Sequence, residues 1–540
     1  MLDGLVMFGN AVVGYLNPVS LTLAFGATLL GVVAGCMPGL SATLVITLLT
    51  TLTLKMQPNQ AILVLVCAYN GAIYGGSRTA ILLNIPGTAA NAAACLDGYQ
   101  LARQGQAGRA MGIATTGSVV GTLFGLVCLA LFTPMLGEVA LSFGAFEFFW
   151  LALLGVVMSG NVVAADPLKG WLAGFLGLFV AGIGQEGMYA YERFSFGNAD
   201  LAGGFGLIPV LVGAFGFSEV LTVMSERMAR PKIMEFGSPL PRIMDVLKYW
   251  RTILRSGVIG VWVGILPGVG EDMAAWSSYA TAKRLSKEPE KYGKGSIEGL
   301  MAAETGDNAS VPGGIIPALA LAIPGSAPCA VLLAAMIIHG VQAGPMLMVE
   351  NPQFVYDVVA MVLFSTIGIL FFGLFFIRPL LRIAQVPRSI MMPIIFVLCV
   401  IGSYSLSSRL FDVYTMLGFG TLVFIMRRNG YPAAPFVLGL VLGDILDKNL
   451  RRGLVLSDGD LLPFFSRPIS AVLAVLVLWT FITNVPIIHA AVLRWRDAVM
   501  ARVLPAIRRS SLRHAHRALQ RGDRRPAVRT AMRLRPQRRL

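Results

Sequence analysis

In hydrocarbon every backbone N–H and C=O must find a partner inside the protein, so irregular backbone survives there only where it is buried or lines a cavity. This chain interrupts its own membrane-grade segments at two matched places. GCMPGL (Gly35–Leu40) returns as GILPGV (Gly264–Val269), 229 positions later (264 − 35). Asn70, Gly75, Gly76, Ile85, Pro86 and Gly87 return as Asn308, Gly313, Gly314, Ile323, Pro324 and Gly325, each 238 positions later (308 − 70). With 60 Gly and 29 Pro in the chain a single Pro-Gly match carries little weight, but six positions in one register mark an internal repeat. Paired Gly/Pro interruptions in corresponding halves are the sequence pointer to a transporter binding site.

Around these breaks lie apolar runs near Ala110–Met135, Phe143–Met158, Trp171–Ile183, Phe205–Val223, Val358–Ile377, Met391–Leu406 and Ile469–Val492. A bilayer core takes roughly 20 apolar residues. The fold class expected is therefore an all-α polytopic membrane protein with roughly 10–12 transmembrane segments. No cleavable signal peptide is expected, since no basic n-region precedes the first apolar run. Ser256–Ala282 holds PGVG in its middle and is flanked on both sides by Lys and Arg, so it reads as a re-entrant hairpin entering from the cytoplasm. Leu21–Met37 and Ser41–Leu54 have nearly chargeless flanks and read as a hairpin from the opposite side. The two repeats are thus expected to be inverted, each with one hairpin and one broken helix.

The organisation expected is an N-terminal interfacial or membrane segment over 1–20, a first repeat as transport core over 21–110, scaffold helices over 111–224 and a cytoplasmic basic loop over 225–255. A second repeat over 256–349, C-terminal helices over 350–493 and an Arg-rich tail over 494–540 complete it. The tail holds fifteen Arg and two Asp, +13 of the chain's +15. It reads as a disordered cytoplasmic extension facing anionic membrane lipid, and no nucleic-acid partner is expected because no aromatic interleaving accompanies the arginines. The six cysteines are single and do not cluster with the four histidines, so no transition metal is expected. Without a P-loop, HExxH, GxSxG or nucleophile–base arrangement, the chain is not expected to be an enzyme or an ATP-driven pump.

In YGGSRTAILLNIPG (Tyr74–Gly87) the glycine pair and the Pro-Gly are expected to break the helix twice, with Ser77 capping the half-helix that follows and Asn84 near its end. Half-helix starts present free N–H groups that suit a carboxylate. Arg78, a charge at membrane depth, is a candidate anion ligand through its planar donor fork. The alternatives are an internal pair with an acidic residue such as Asp97 or Glu304, or an Arg snorkelling to the membrane interface. In ETGDNA, Glu304 and Asn308 share a helix face with Asp307 beside them, a cluster suited to Na⁺ or a proton. Asn70, matched by Asn308, joins them. Glu271 and Asp272 follow the second hairpin tip and read as caps of its second helix.

The stretches GCMPGLSAT, AYNGAIYGGSRTAILLNIPG, DGYQLARQGQAGRA, GILPGVG, YGKGSIEGLMAAETGDNA, IPGSAPCAVLLAAMIIHGVQAGP and LGDILDKNLRRGLVLSDGD together resemble the large membrane subunit of the tripartite tricarboxylate transporters, the TctA family. The resemblance covers roughly residues 20 to 470. It implies a bacterial inner-membrane carrier driven by Na⁺ or H⁺, a small four-helix membrane subunit as partner, and a periplasmic substrate-binding protein delivering di- or tricarboxylates or related organic acids. Neither a homo-oligomer nor an elevator-type motion is decided by it. Carried over by motif, the substrate site comprises Pro38, Gly39, Gly75, Gly76, Ser77, Asn84, Pro86, Gly87, Pro267, Gly268, Pro324, Gly325 and Ser326, with Arg78 added from its charge. The coupling-ion site comprises Asn70, Glu304, Asp307 and Asn308. Two departures from the family pattern, Asp307 and Glu271, add negative charge near an anion site. The rival readings are a self-sufficient organic-anion carrier and a passive anion channel.

Overall fold

A computed structural model of the chain describes residues 2–37, 39–163, 166–225, 243–376, 379–380 and 388–484. The Arg-rich tail, Pro38 and most of the basic stretch 225–255 lie outside the described residues. The chain up to Val477 forms one compact unit, with Leu478 onward counted as a second.

The described residues are almost wholly helical. Helix α1 (Leu2–Tyr15) precedes the first hairpin, α2 (Pro18–Gly35) and α3 (Ala42–Leu52). Next come α4 (Pro58–Leu83) and, after an irregular return over 84–90 and a largely π-helical stretch to Gln106, α5 (Ala107–Ala140). Helices α6 (Ala145–Val163), α7 (Pro167–Ala181) and α8 (Leu207–Ser225) follow. The second hairpin is α9 (Trp250–Ile265) and α10 (Gly270–Leu285), followed by α11 (Ile297–Leu321) and α12 (Ala327–Ile338). Helices α13 (Pro352–Phe375), α14 (Arg388–Ser407), α15 (Leu410–Arg428), α16 (Ala433–Leu456) and α17 (Pro468–Asn484) end the description. Six helices are long and apolar enough to cross a membrane, α2, α5, α8, α13, α14 and α15 among the described residues.

The two hairpins close in the same way. Each turns where a Gly takes positive φ, Gly39 at 95° and Gly268 at 73°, a conformation that a β-carbon disfavours. Helix α2 packs on α4, and α9 packs on α11. Both contacts run over small residues: Gly31 and Gly35 meet Ala68 and Ala72, while Gly260 and Gly264 meet Gly306 and Ser310. Without a β-carbon at these positions backbones approach closely, which drives helix association in lipid. Helices α4 and α11 each end on a non-glycine left-handed residue, Asn84 (φ 57°) and Ala322 (φ 58°), at paired positions. The returning chain then crosses its own helix, where a β-carbon on Gly87 would lie 2.6 Å from Gly76 Cα, and one on Gly325 2.7 Å from Gly314 Cα.

One expectation is corrected here. Gly75-Gly76 and Gly313-Gly314 do not break their helices; α4 and α11 run through them, and α11 also accommodates Pro312 and Pro317. A helix pairs its backbone locally, which hydrocarbon demands, and the glycines serve instead as flat surfaces for α2 and for the returning chain. Each segment has a single break, at Asn84–Gly87 and at Ala322–Gly325. Ser77, mid-helix, caps nothing.

Away from the core, a two-stranded hairpin, β1 (Gly184–Gln185) and β2 (Glu192–Arg193), is clamped to α16. Arg193 grips Asp447 with two bonds of 3.0 and 2.9 Å, and Arg451 reaches Asp447 and Glu186. Desolvation works to raise the Glu186 carboxyl, but the N–H groups of Tyr189 and Met188 together with Arg451 outweigh it and hold the group below its usual range. A carboxylate depressed in the fold stabilises fully above its unfolded pKa of about 4.3, and the contribution is lost as pH falls through the lower folded value. Hydrogen exchange in 184–193 is therefore expected to accelerate, beyond the intrinsic pH effect, only below about pH 4. Equal protection from pH 7 down to 3 would contradict it.

Candidate functional site

A cavity of about 390 Å³ opens where both hairpin tips and both returns meet. The first hairpin contributes Ser41, Ala42 and Thr43, the start of α3. The return after α4 supplies Pro86 to Ala89, the second hairpin tip Gly268 to Asp272, and the return after α11 Ser326 to Pro328. Ile73, Arg427 and Ala434 complete the wall. The segments converge because each repeat turns twice, once at its hairpin and once after its long helix. Irregular backbone thus gathers at one place inside a helical protein.

Three helices begin here. Ser41 caps α3 by accepting from the Leu44 N–H at 3.2 Å, and Ser326 caps α12 by accepting from the Cys329 N–H at 3.3 Å. Helix α10 starts instead with Glu271 and Asp272. Tyr69 donates its hydroxyl to Glu271 Oε1 at 2.8 Å and lies 3.0 Å from Ser326 Oγ. Asp272 Oδ1 accepts from the Ala90 N–H at 2.9 Å, tying the second hairpin to the first return.

A second, buried polar layer lies behind the wall. Thr88, on the cavity, bonds Asn91 Oδ1 through its N–H at 3.2 Å and its hydroxyl at 2.9 Å. Asn91 Nδ2 donates onward to Ser77 Oγ at 3.0 Å and to Asp307 Oδ2 at 3.1 Å. Asp307 is 1% exposed, and its Oδ1 has no hydrogen-bond partner. Two matched bonds flank this layer: Asn70 Nδ2 to Ser365 Oγ and Asn308 Nδ2 to Ser118 Oγ, both 3.0 Å. Each long helix of one repeat is thus braced by the helix that follows the other repeat, α13 on α4 and α5 on α11.

Of the residues expected at the substrate site, Pro86, Gly87, Gly268 and Ser326 line the cavity. Gly39 lies in the first hairpin turn beside it. Gly325 packs against Gly314, and Pro267 faces Gly155 of α6. Pro324 is buried, Asn84 is exposed at the end of α4, and Gly75, Gly76 and Ser77 lie inside α4. Pro38 lies outside the described residues.

Arg78 does not reach the cavity wall. It is 1% exposed, and Nη1 donates to Thr115 Oγ1 (3.0 Å), Met111 O (3.2 Å) and Tyr74 OH (3.3 Å). Nη2 lies 3.7 Å from Glu304 Oε2. The internal pair is realised, and with Glu304, because Asp97 is engaged elsewhere: its Oδ1 accepts from the N–H groups of Gly293, Gly295 and Ser296, and its Oδ2 from the Tyr279 hydroxyl. Of the four residues expected to hold a coupling ion, Glu304 and Asn308 meet at Ser118, Asp307 faces Asn91, and Asn70 faces Ser365.

Tyr69, Asn91, Thr43, Thr88 and Arg427 were not singled out by the sequence, and Glu271 was read as a cap. Tyr69 had a usable signal, since the 238-residue register that pairs Asn70 with Asn308 also pairs Tyr69 with Asp307, and both reach toward the opposite repeat.

A sequence profile described as the Tripartite tricarboxylate transporter TctA family matches residues 21–438. The chain is 35% identical over 463 residues to an uncharacterized 52.8 kDa protein in the TAR-I ttuC' 3' region of Agrobacterium vitis, covering 84% of this chain and 91% of that protein. It is 34% identical over 212 residues to an uncharacterized protein in the TAR-II ttuC' 3' region of the same organism, covering 39% of this chain and 88% of that protein. No solved structure matches it.

Proposed function

The chain belongs to the Tripartite tricarboxylate transporter TctA family, and from that membership we propose that it is the large permease subunit of a binding-protein-dependent secondary carrier importing carboxylates across the bacterial inner membrane. Its partners in this reading are a small membrane subunit and a periplasmic binding protein. The observation that carries the proposal is the cavity shared by both hairpin tips and both returns, with the start of α3 directed at it. The α3 start is free of acidic residues, and helix N-termini stabilise anions through unpaired N–H groups.

The coupling ion is assigned in this proposal to the layer behind the wall. Asp307 is the group to carry it, as a proton on the carboxylate or as Na⁺ beside the unpartnered Oδ1. Thr88 and Asn91 connect it to the cargo cavity. An ionisable group buried at membrane depth marks a proton relay or an ion path.

Uptake of labelled carboxylates into proteoliposomes holding the chain and its membrane partner is the test, with the binding protein outside and Na⁺ and pH gradients imposed separately. Uptake is expected to require the binding protein and to follow one gradient. Asp307→Asn, which keeps the shape that meets Asn91, is expected to lower gradient-driven uptake by about tenfold or more while leaving cargo binding within about threefold. Flux indifferent to both gradients and to the binding protein would favour a passive channel instead.

A further inference from the structure

The two hairpins are alike in backbone but differ in charge, the first tip being neutral and the second acidic. At the first tip α3 begins Ser41-Ala42-Thr43; at the second α10 begins Gly270-Glu271-Asp272. Both starts line the cargo cavity. Thr43 is 6% exposed, and neither its hydroxyl nor its N–H has a hydrogen-bond partner among the described residues. This end therefore offers donors. The opposite end offers an acceptor: the Glu271 carboxylate, 5% exposed, held in place by Tyr69 at 2.8 Å and Ser326 at 3.4 Å. Arg427 is the single basic residue among the described residues of the wall and already pairs with Glu219 at 2.7 Å. Counted over Glu271, Asp272 and Arg427, the wall carries a formal charge of −1 (1 − 2).

A cavity of this polarity does not suit a ligand bearing carboxylates at every end. A carboxylate settled at the α3 start meets N–H and O–H donors. A second one placed against Glu271 meets like charge in a site poorly screened by water, which costs more than it does at a surface. A neutral hydroxyl placed there donates to the Glu271 oxygen and forms a charge-assisted hydrogen bond.

We propose that Glu271 is a specificity-determining residue that selects hydroxycarboxylates, taking the cargo's hydroxyl as donor while the α3 start and Thr43 take a carboxylate, and that it disfavours tricarboxylates lacking a hydroxyl. This assignment rests on the carrier reading above. A site built to hydrogen-bond a hydroxyl discriminates strongly against the analogue lacking it, because its polar group is then left unpaired.

The test is equilibrium binding to the purified complex of the full-length chain with its membrane partner in detergent, using malate, succinate, aspartate and tricarballylate, with counterflow alongside in proteoliposomes holding that complex and supplied with the binding protein. Wild type is expected to bind malate about tenfold or more tighter than succinate, and tricarballylate weakest. In Glu271→Gln the malate-to-succinate ratio is expected to fall to within about threefold, and tricarballylate binding to strengthen. Asp272→Asn, whose carboxylate meets a backbone N–H instead, is expected to improve tricarballylate binding while keeping the malate preference; this separates the hydroxyl contact from net charge. Equal binding of malate and succinate by wild type, an unchanged ranking in Glu271→Gln, or a preference for aspartate over malate would each overturn the assignment. Wild type that binds and moves none of the four would instead count against the carrier reading itself.

Discussion

Replacing Asp97 by Ala is expected to destabilise the protein by about 4 kcal/mol, because the buried Ser296 N–H and Tyr279 phenol lose their acceptor at about 1–3 kcal/mol each, while the N–H groups of Gly293 and Gly295, nearer the surface, turn to water. Asp97 is fully buried. Its Oδ1 takes the N–H groups of Gly293, Gly295 and Ser296 at 2.8, 2.9 and 2.7 Å, and its Oδ2 takes the Tyr279 hydroxyl at 2.8 Å. The acceptor lies on the π-helical stretch Cys95–Tyr99 after the first return, whereas the donors lie on α10 and at the entry to α11. One carboxylate thus fixes the second repeat's long helix against the first repeat. Asp97→Asn keeps one acceptor oxygen, so it retains either the backbone bonds or the Tyr279 bond, and a loss of about 1–3 kcal/mol is expected. Thermal unfolding of the three proteins in detergent, with hydrogen exchange across 292–300, checks the order. An Asp97→Ala protein as stable as wild type would show that the loop 293–296 finds other acceptors.

The second large effect concerns Arg78 and Glu304. Arg78→Met is expected to cost about 3–5 kcal/mol, the price of leaving one member of a buried ion pair without the other. The guanidinium touches Tyr74, Met111 and Thr115, lies 4.2 Å from the Tyr74 ring centroid and faces Glu304 at 3.7 Å. Ser118 donates to the Glu304 carboxylate at 2.9 Å, and Ser77 is a second side-chain partner. The double variant Arg78→Met/Glu304→Gln removes both charges and is expected to recover about half or more of the loss. Recovery in the double variant, read by thermal unfolding, establishes the pair as structural. If instead both single variants fold like wild type and lose only cargo binding, Arg78 acts on the anion after all.

The hairpins were legible in the sequence because a turn inside an apolar segment requires residues that nothing else there requires: Pro-Gly, with its glycine at positive φ. The repeat was legible for the same reason, since Gly76 with Gly87 and Gly314 with Gly325 form close crossings that admit no β-carbon. The glycine pairs were read too literally. Gly75-Gly76 would weaken an isolated helix by about 1 kcal/mol per residue, but inside lipid the alternative is unpaired backbone, and α2 packs on Gly75 while the returning chain packs on Gly76.

By itself, then, the sequence determined the helical class, the two hairpins and the paired returns, because these follow from local chemistry: apolar length, positive φ and missing β-carbons. Only the tertiary structure decided which polar groups meet. Arg78 and Glu304 are 226 positions apart (304 − 78), and Asn91 reaches Asp307 across 216. Glu271 became part of the cavity wall through its contacts with Tyr69 and Ser326. Such partners are chosen by helix packing, and a buried polar group bonds whatever acceptor or donor the packed neighbour presents.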